Sequence, residues 1–188
     1  MDEAAHTALR QYPVAIPPEE LPYPSTIRNA NAITATYAKL AENPHAKRSR
    51  THSAAQRAGK RYEKRVIAAT IRELSDKNIT VMPSPWIEYR LAEEHKRHFC
   101  QPDMLLFHRN VLYICEIKYT HTADAYWQMQ QLYAPVCRLV FKKYIVRFLE
   151  ITRSFDPAIR FPVEAKLFFD LADVLLIEPS VGILQWKL

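Results

Sequence analysis

Two carboxylates and an amine stand close together in the stretch QPDMLLFHRNVLYICEIKY, residues 101–119. They are Asp103, after Pro102, and Glu116 and Lys118, separated by Ile117. Met104 to Phe107 and Val111 to Ile117 are rich in Leu, Val, Ile, Tyr and Phe. His108-Arg109-Asn110 between them has turn chemistry, so the stretch reads as a β-hairpin. A two-residue loop, Arg109-Asn110, sets His108 opposite Val111. Counting back, Asp103 then faces Glu116, with Cβ atoms roughly 4.5–5.5 Å apart. An odd loop would place Asp103 opposite Cys115 instead. Lys118 lies two residues past Glu116, which puts it on the same strand face. Paired acids repel unless they share a proton, recruit a base or bind a cation. Oxygen ligands with open positions suit Mg²⁺ or Mn²⁺. Lys118 alone would also reduce the charge, and a lone E-x-K on a strand is common.

The elements around the hairpin must hold these groups in place. Ser53-Ala54-Ala55-Gln56 has the form of a capping box, predicting a helix from about Ala54 to Asp76. Glu63, Ile67, Thr70, Ile71 and Leu74 fall on one face of it. A carboxylate on a core-facing stripe is costly without a partner, which makes Glu63 a candidate site residue; the plainer reading is a surface Glu paired on its own helix. Arg57, Lys60, Arg61, Lys64 and Arg65 crowd the same half of that helix. Lys77-Asn78 ends it. Ile79 to Met82 and Trp86 to Leu91 read as a strand bent or interrupted by Pro83 and Pro85, with Glu88 as an outside candidate ligand. A helix from about Ala123 carries Gln128, Gln130 and Gln131, with Tyr126, Met129, Gln130 and Tyr133 on one face and a kink at Pro135. Tyr144 to Arg153 reads as a strand. Val163 to Asp170 stays open, and Val174 to Ile177 and Ile183 to Leu188 read as late strands with a short helix.

Pro102-Asp103 followed by Glu116-Ile117-Lys118 resembles the PD-(D/E)xK nuclease superfamily, over about Gly59 to Val140. The order of elements is similar too: a helix with Glu63, the hairpin, then a helix with glutamines. The Gln-to-Tyr133 spacing departs from the Q-x-x-x-Y pattern of the recombination-nuclease branch. The resemblance implies a restriction-endonuclease-like α/β fold, a mixed central sheet flanked by helices, and Mg²⁺- or Mn²⁺-dependent hydrolysis of DNA phosphodiesters. It assigns Asp103, Glu116 and the Ile117 carbonyl to the metal and Lys118 to the attacking water. Glu63 would act through water or a second ion. Gln131 joins the catalytic set, and Arg57, Lys60, Arg61, Lys64 and Gln128 the DNA-binding set. Relatives with this motif set include multimers, so a homo-oligomer is within the expectation.

Composition narrows the classes. The chain has 188 residues and a formal net charge of +6, with a pI of about 9.2, which fits a polyanionic partner. Three cysteines without C-x-x-C spacing read as reduced thiols and are too few for an iron–sulfur cluster. His95 and His98 lack metal-ligand spacing and read as surface residues. Two glycines and no phosphate-loop motif argue against nucleotide-driven chemistry. No apolar run is long enough to span a membrane, and the acidic start does not resemble a secretory signal, so a cytoplasmic protein is expected. Residues 1–50 read as an N-terminal extension: a Pro-rich arm, a helix from Thr26 to about Glu42 capped by Ser25, and a basic run at Lys47-Arg48-Ser49-Arg50. Residues 51–188 form the α/β domain. Two other classes remain: a non-catalytic nucleic-acid-binding module on the same fold, and an assembly protein that uses the arm.

Overall fold

A computed structural model describes residues 32–44, 53–75, 77–92, 94–121, 123–154, 174–178 and 181–188. In chain order the elements are β1 (Ala35–Ala41), α1 (Ala54–Leu74), β2 (Ile79–Pro83), β3 (Trp86–Leu91), β4 (His98–Cys100), β5 (Met104–His108) and β6 (Val111–Thr120). Then come α2 (Ala123–Trp127), a π-helical segment (Gln128–Tyr133), α3 (Ala134–Val140), β7 (Ile145–Ser154), β8 (Val174–Glu178) and β9 (Val181–Gln185). The architecture is mixed α/β with two sheets. The larger has six strands in the order β2-β5-β6-β7-β9-β8, and the smaller has the order β1-β3-β4.

The β5–β6 hairpin has the even loop: His108 pairs with Val111 and Met104 with Cys115. Arg109 takes a left-handed φ of 55° in that loop, which lets the chain reverse within two residues. β6 then runs parallel to β7, and β7 parallel to β9, while β2–β5, β5–β6 and β8–β9 are antiparallel. Parallel neighbours need a crossover, and α2, the π-helical segment and α3 supply it between β6 and β7.

Each face of the large sheet has its own apolar layer. Tyr62, Val66, Ala69 and Leu74 of α1 pack with Met104, Leu106, Cys115, Ile117, Leu149 and Ile151. On the other face Tyr126, Met129, Tyr133, Val136 and Cys137 pack with Leu105, Leu112, Ile114 and Phe148. β6 is therefore buried on both faces, as a covered strand requires. Ser53 caps α1 as expected: its hydroxyl accepts from the Gln56 N–H at 3.2 Å, and Gln56 accepts from the Ser53 N–H at 2.9 Å. Asn78 just past its end has a left-handed φ of 53°, a conformation Asn tolerates after a helix.

Three expectations change. The helix predicted from Thr26 to Glu42 is, over its described part, strand β1, paired antiparallel with β3. Ile33, Tyr37 and Leu40 satisfy helical spacing only over a short run, and long-range pairing decides. The strand bent or interrupted at Pro83 and Pro85 is fully divided, into two strands in different sheets. Ser84 between the prolines has a left-handed φ of 43°, so the chain turns there and β3 joins β1 and β4. The buried stripe of α1 is Tyr62, Val66, Ala69, Thr70 and Leu74, one position from the face centred on Glu63, and Ile71 is exposed. The late segments Val174–Glu178 and Val181–Gln185 are both strands. The Pro-rich arm, the basic run at 47–50 and the stretch at 163–170 lie outside the described residues. Among those described, no helix is long and apolar enough to cross a membrane.

Candidate functional site

β6 has ten residues and β5 five. Their ladder stops at Met104–Cys115, so Glu116 to Thr120 project past β5 with one edge open. An N–H on that edge needs another acceptor. Asp103 provides it: its Oδ2 accepts from the Ile117 N–H at 2.7 Å. The carboxylate is thus fixed beside Glu116, as the even loop implies. Ser84 helps to hold the Asp103 backbone, its N–H donating to the Asp103 carbonyl at 2.8 Å.

Glu116 shares its strand face with Lys118, whose Nζ donates to Oε1 at 2.7 Å. Glu116 is only 3% exposed, and its Oε2 is buried with no hydrogen-bond partner. A buried carboxylate oxygen without a partner is expensive and marks a place where a cation would fit. Burial, then the Glu116 charge, pushes the Asp103 carboxyl up to about 8, against the pull of the Ile117 N–H. Burial also raises Glu116, opposed by Lys118. For Lys118, burial pulls down, but the Glu116 charge and hydrogen bond prevail and the ammonium is held above its usual range. Glu63 is raised by burial and pulled down by Lys60, Lys118 and Lys64. The electrostatic reach of Glu63 therefore includes Lys118, Asp103 and Glu116.

Sequence reasoning missed a further acid. Glu150 sits beside Glu116 in the parallel β6–β7 register. It is 1% exposed, and its Oε1 lies 2.8 Å from Nδ1 of His121. The His121 N–H donates to the Ser154 carbonyl at 2.9 Å, which fixes the residue just after β6. Glu116 feels the Glu150 charge, and so does Lys118. The pairing joins strands from distant parts of the sequence, so no local spacing reveals it. An ionisable residue inside the apolar-rich YIVRFLEITR run was the available signal.

The glutamines hold the frame. In the π-helical segment the i to i+5 spacing brings Gln128 to Tyr133. The Gln128 amide donates to the Tyr133 hydroxyl, which donates to the Gln101 carbonyl at 3.0 Å. Gln101 stands two residues before Asp103, so this chain of bonds ties the crossover to the acid's own strand. Charges on Glu116 and Asp103 also reach the Tyr133 hydroxyl. The Gln130 amide donates to the Tyr126 hydroxyl at 2.7 Å. Gln131 is half-buried, and its carbonyl accepts from the Ile33 N–H, which steadies the approach to β1. Arg57, Lys60, Arg61 and Lys64 are exposed along α1. Glu88 lies in the small sheet, paired with Lys39 at 3.8 Å.

Among the described residues, no group of three or more His, Cys, Asp and Glu side chains is gathered to hold a metal ion alone. Mg²⁺ does not need one, since it is often bound by one or two carboxylates, waters and substrate phosphates. The donor set of Asp103, Glu116 and backbone oxygen suits a hard cation. Comparison with protein-family models, with curated proteins and with solved structures finds no match to this chain.

Proposed function

We propose that the chain is a divalent-cation-dependent nuclease acting on DNA, built on a restriction-endonuclease-like core. One observation carries the reading: Asp103 and Glu116 meet at the open edge of β6, with Lys118 on Glu116 and the second Glu116 oxygen left without a partner. The basic residues of α1 beside this edge support a polyanionic substrate.

Asp103 and Glu116, with the Ile117 carbonyl, would hold Mg²⁺ or Mn²⁺. A bound cation supplies Lewis acidity, lowers the pKa of the attacking water and offsets charge on the phosphate. Lys118 keeps its proton, so it orients that water and balances the charge that develops on the phosphate oxygens. Glu63, within electrostatic reach of Lys118, would act through water or a second ion. His121 and Glu150 set the field behind Glu116.

The test is incubation of purified protein with closed circular and linear DNA, single- and double-stranded, with and without Mg²⁺ or Mn²⁺. Cation-dependent cleavage is expected, lost by about 100-fold or more in Asp103→Ala and Lys118→Ala. Unchanged cleavage in either variant overturns the assignment. Products from closed circles identify an endonuclease, and loss of linear substrate alone an exonuclease. A second reading, a non-catalytic nucleic-acid-binding module, draws on the Lys118–Glu116 pair, which already neutralises one acid without metal. Calorimetric Mn²⁺ titration separates the two: a binding module shows no heat that depends on Asp103.

A further inference from the structure

Beyond the acids, the same end of the sheet holds a cavity of about 190 Å³ lined by Ala58, Arg61, Tyr62, Arg65, Tyr119 and Arg153. Its place follows from strand period. Ile117 and Ile151 belong to the layer under α1, so Tyr119 and Arg153, two residues further along β6 and β7, point to that side. Arg61 and Arg65 come down from α1 at i and i+4, on one helix face.

The walls are braced. The Tyr62 hydroxyl donates to the Trp186 carbonyl at 2.7 Å. Tyr62 meets Tyr119 edge-on, with ring centroids 6.0 Å apart. The Arg153 guanidinium stands 5.0 Å from the Tyr119 centroid and donates to its hydroxyl. Arg153 and Arg65 both act on the buried Tyr62 hydroxyl. Among the described residues, no carboxylate pairs with Arg61, Arg65 or Arg153. Three guanidiniums around one small cavity repel one another, and an anion removes that cost. Guanidinium forks match phosphate oxygens in geometry as well as charge.

We infer that this cavity binds a phosphate group of a nucleic-acid strand at this end of the sheet. Tyr119 follows Lys118 on β6, so the strand period sets the cavity at the same sheet end as Glu116 and Lys118 but on the opposite, α1 face. What the strand undergoes at the acids rests on the nuclease reading, whereas the binding itself does not.

The experiment measures fluorescence anisotropy of labelled oligonucleotides with the full chain in EDTA, so that cleavage does not intervene. Oligonucleotides carry either a terminal phosphate or a terminal hydroxyl, and salt is varied. The combined Arg61→Gln, Arg65→Gln, Arg153→Gln variant is expected to bind about tenfold more weakly or worse. Its salt slope should be shallower by about 0.7–0.9 for each phosphate interaction removed. Arg72→Gln, at the far end of α1, removes a single positive charge and is expected to bind as wild type. Should the substitution at Arg153 prevent folding, the exposed Arg61 and Arg65 carry the test as a double variant. Loss confined to phosphate-ended strands identifies a terminal monoester, and equal loss for all strands an internal diester; both support the cavity. Wild-type affinity and slope in the combined variant, or an equal loss in Arg72→Gln, overturn it. The two readings fail separately. Absent Mg²⁺-dependent cleavage with arginine-dependent binding sinks the nuclease alone, and Asp103-dependent cleavage with unaffected binding sinks the cavity alone.

Discussion

Asp103, Glu116 and Glu150 place three carboxyl groups around one sheet end, and full ionisation there requires compensating charge. Without a cation the protein answers with protons and with Lys118. Asp103 keeps its proton up to about pH 8 when folded, against about 3.9 when unfolded. The folded state binds more protons across that window, so stability present at low pH is lost as pH rises through it. In EDTA, the urea midpoint of the wild type is expected to fall between pH 5 and pH 8. Asp103→Asn keeps an acceptor for the Ile117 N–H and removes the titration, so its midpoint should fall less. An equal fall in both proteins rejects Asp103 as the source. Glu150 gives a second prediction at this scale. With 1% exposure and His121 beside its Oε1, it is stripped of a buried partner in His121→Ala. The cost is expected at about 2–3 kcal/mol in urea unfolding, with part of it recovered when Glu150→Gln is added. The Asp103–Glu116–Lys118 set was legible in the sequence because it lies within one hairpin, where strand period and loop parity fix every face. Glu150 was not, because its place depends on a parallel register with a strand beyond the crossover.

Among the elements, α1 and the π-helical segment position the site in different ways. α1 is started by a reciprocal cap whose two hydrogen bonds both run between Ser53 and Gln56. Ser53→Ala should cost about 1 kcal/mol, seen as a lower urea midpoint at unchanged slope, and Ser53→Asn should restore most of it. The π-helical segment is tied to the Asp103 strand through Tyr133, so Tyr133→Phe removes the bond to the Gln101 carbonyl and the acceptor for Gln128. We expect a loss of about 1–2 kcal/mol and, under the proposed nuclease function, cleavage that weakens more than the stability change alone explains. Undiminished cleavage would separate the segment from the site. The cap was readable as a four-residue pattern. The π turn was not, since its i to i+5 register shows only when side chains are placed. The small sheet was hidden for another reason: Pro83-Ser84-Pro85 reads as a bend or an interruption of one strand, and only the pairing of β3 with β1 and β4 reveals a change of sheet. A stripe centred on Glu63 misses the packing face of α1 by one position, because Tyr62 and Val66, both nearly without exposure, form the contact with the sheet.

Across the whole molecule, one sheet separates two apolar layers, and the three cysteines of the chain sample both. Cys115 packs in the layer under α1, and Cys100 and Cys137 in the layer under the crossover. All three are free and buried. Burial pushes the Cys100 thiol up to about 12 and raises Cys115 and Cys137 as well, so thiolate is scarce at neutral pH. An aromatic disulfide reagent should therefore leave the native protein unlabelled and titrate three thiols in denaturant. The sites labelled at intermediate denaturant show how the layers are coupled. β6 contributes Cys115 and Ile117 to one layer and Leu112 and Ile114 to the other, so neither layer opens without exposing a face of the strand that carries Glu116 and Lys118. Mass-resolved labelling is expected to find Cys115, Cys100 and Cys137 becoming reactive over one common transition. Cys115 reacting at lower denaturant than the other two would mean that α1 lifts away first. Glu63 and the arginine-lined cavity would then rest on an element that opens independently of the acids on β6.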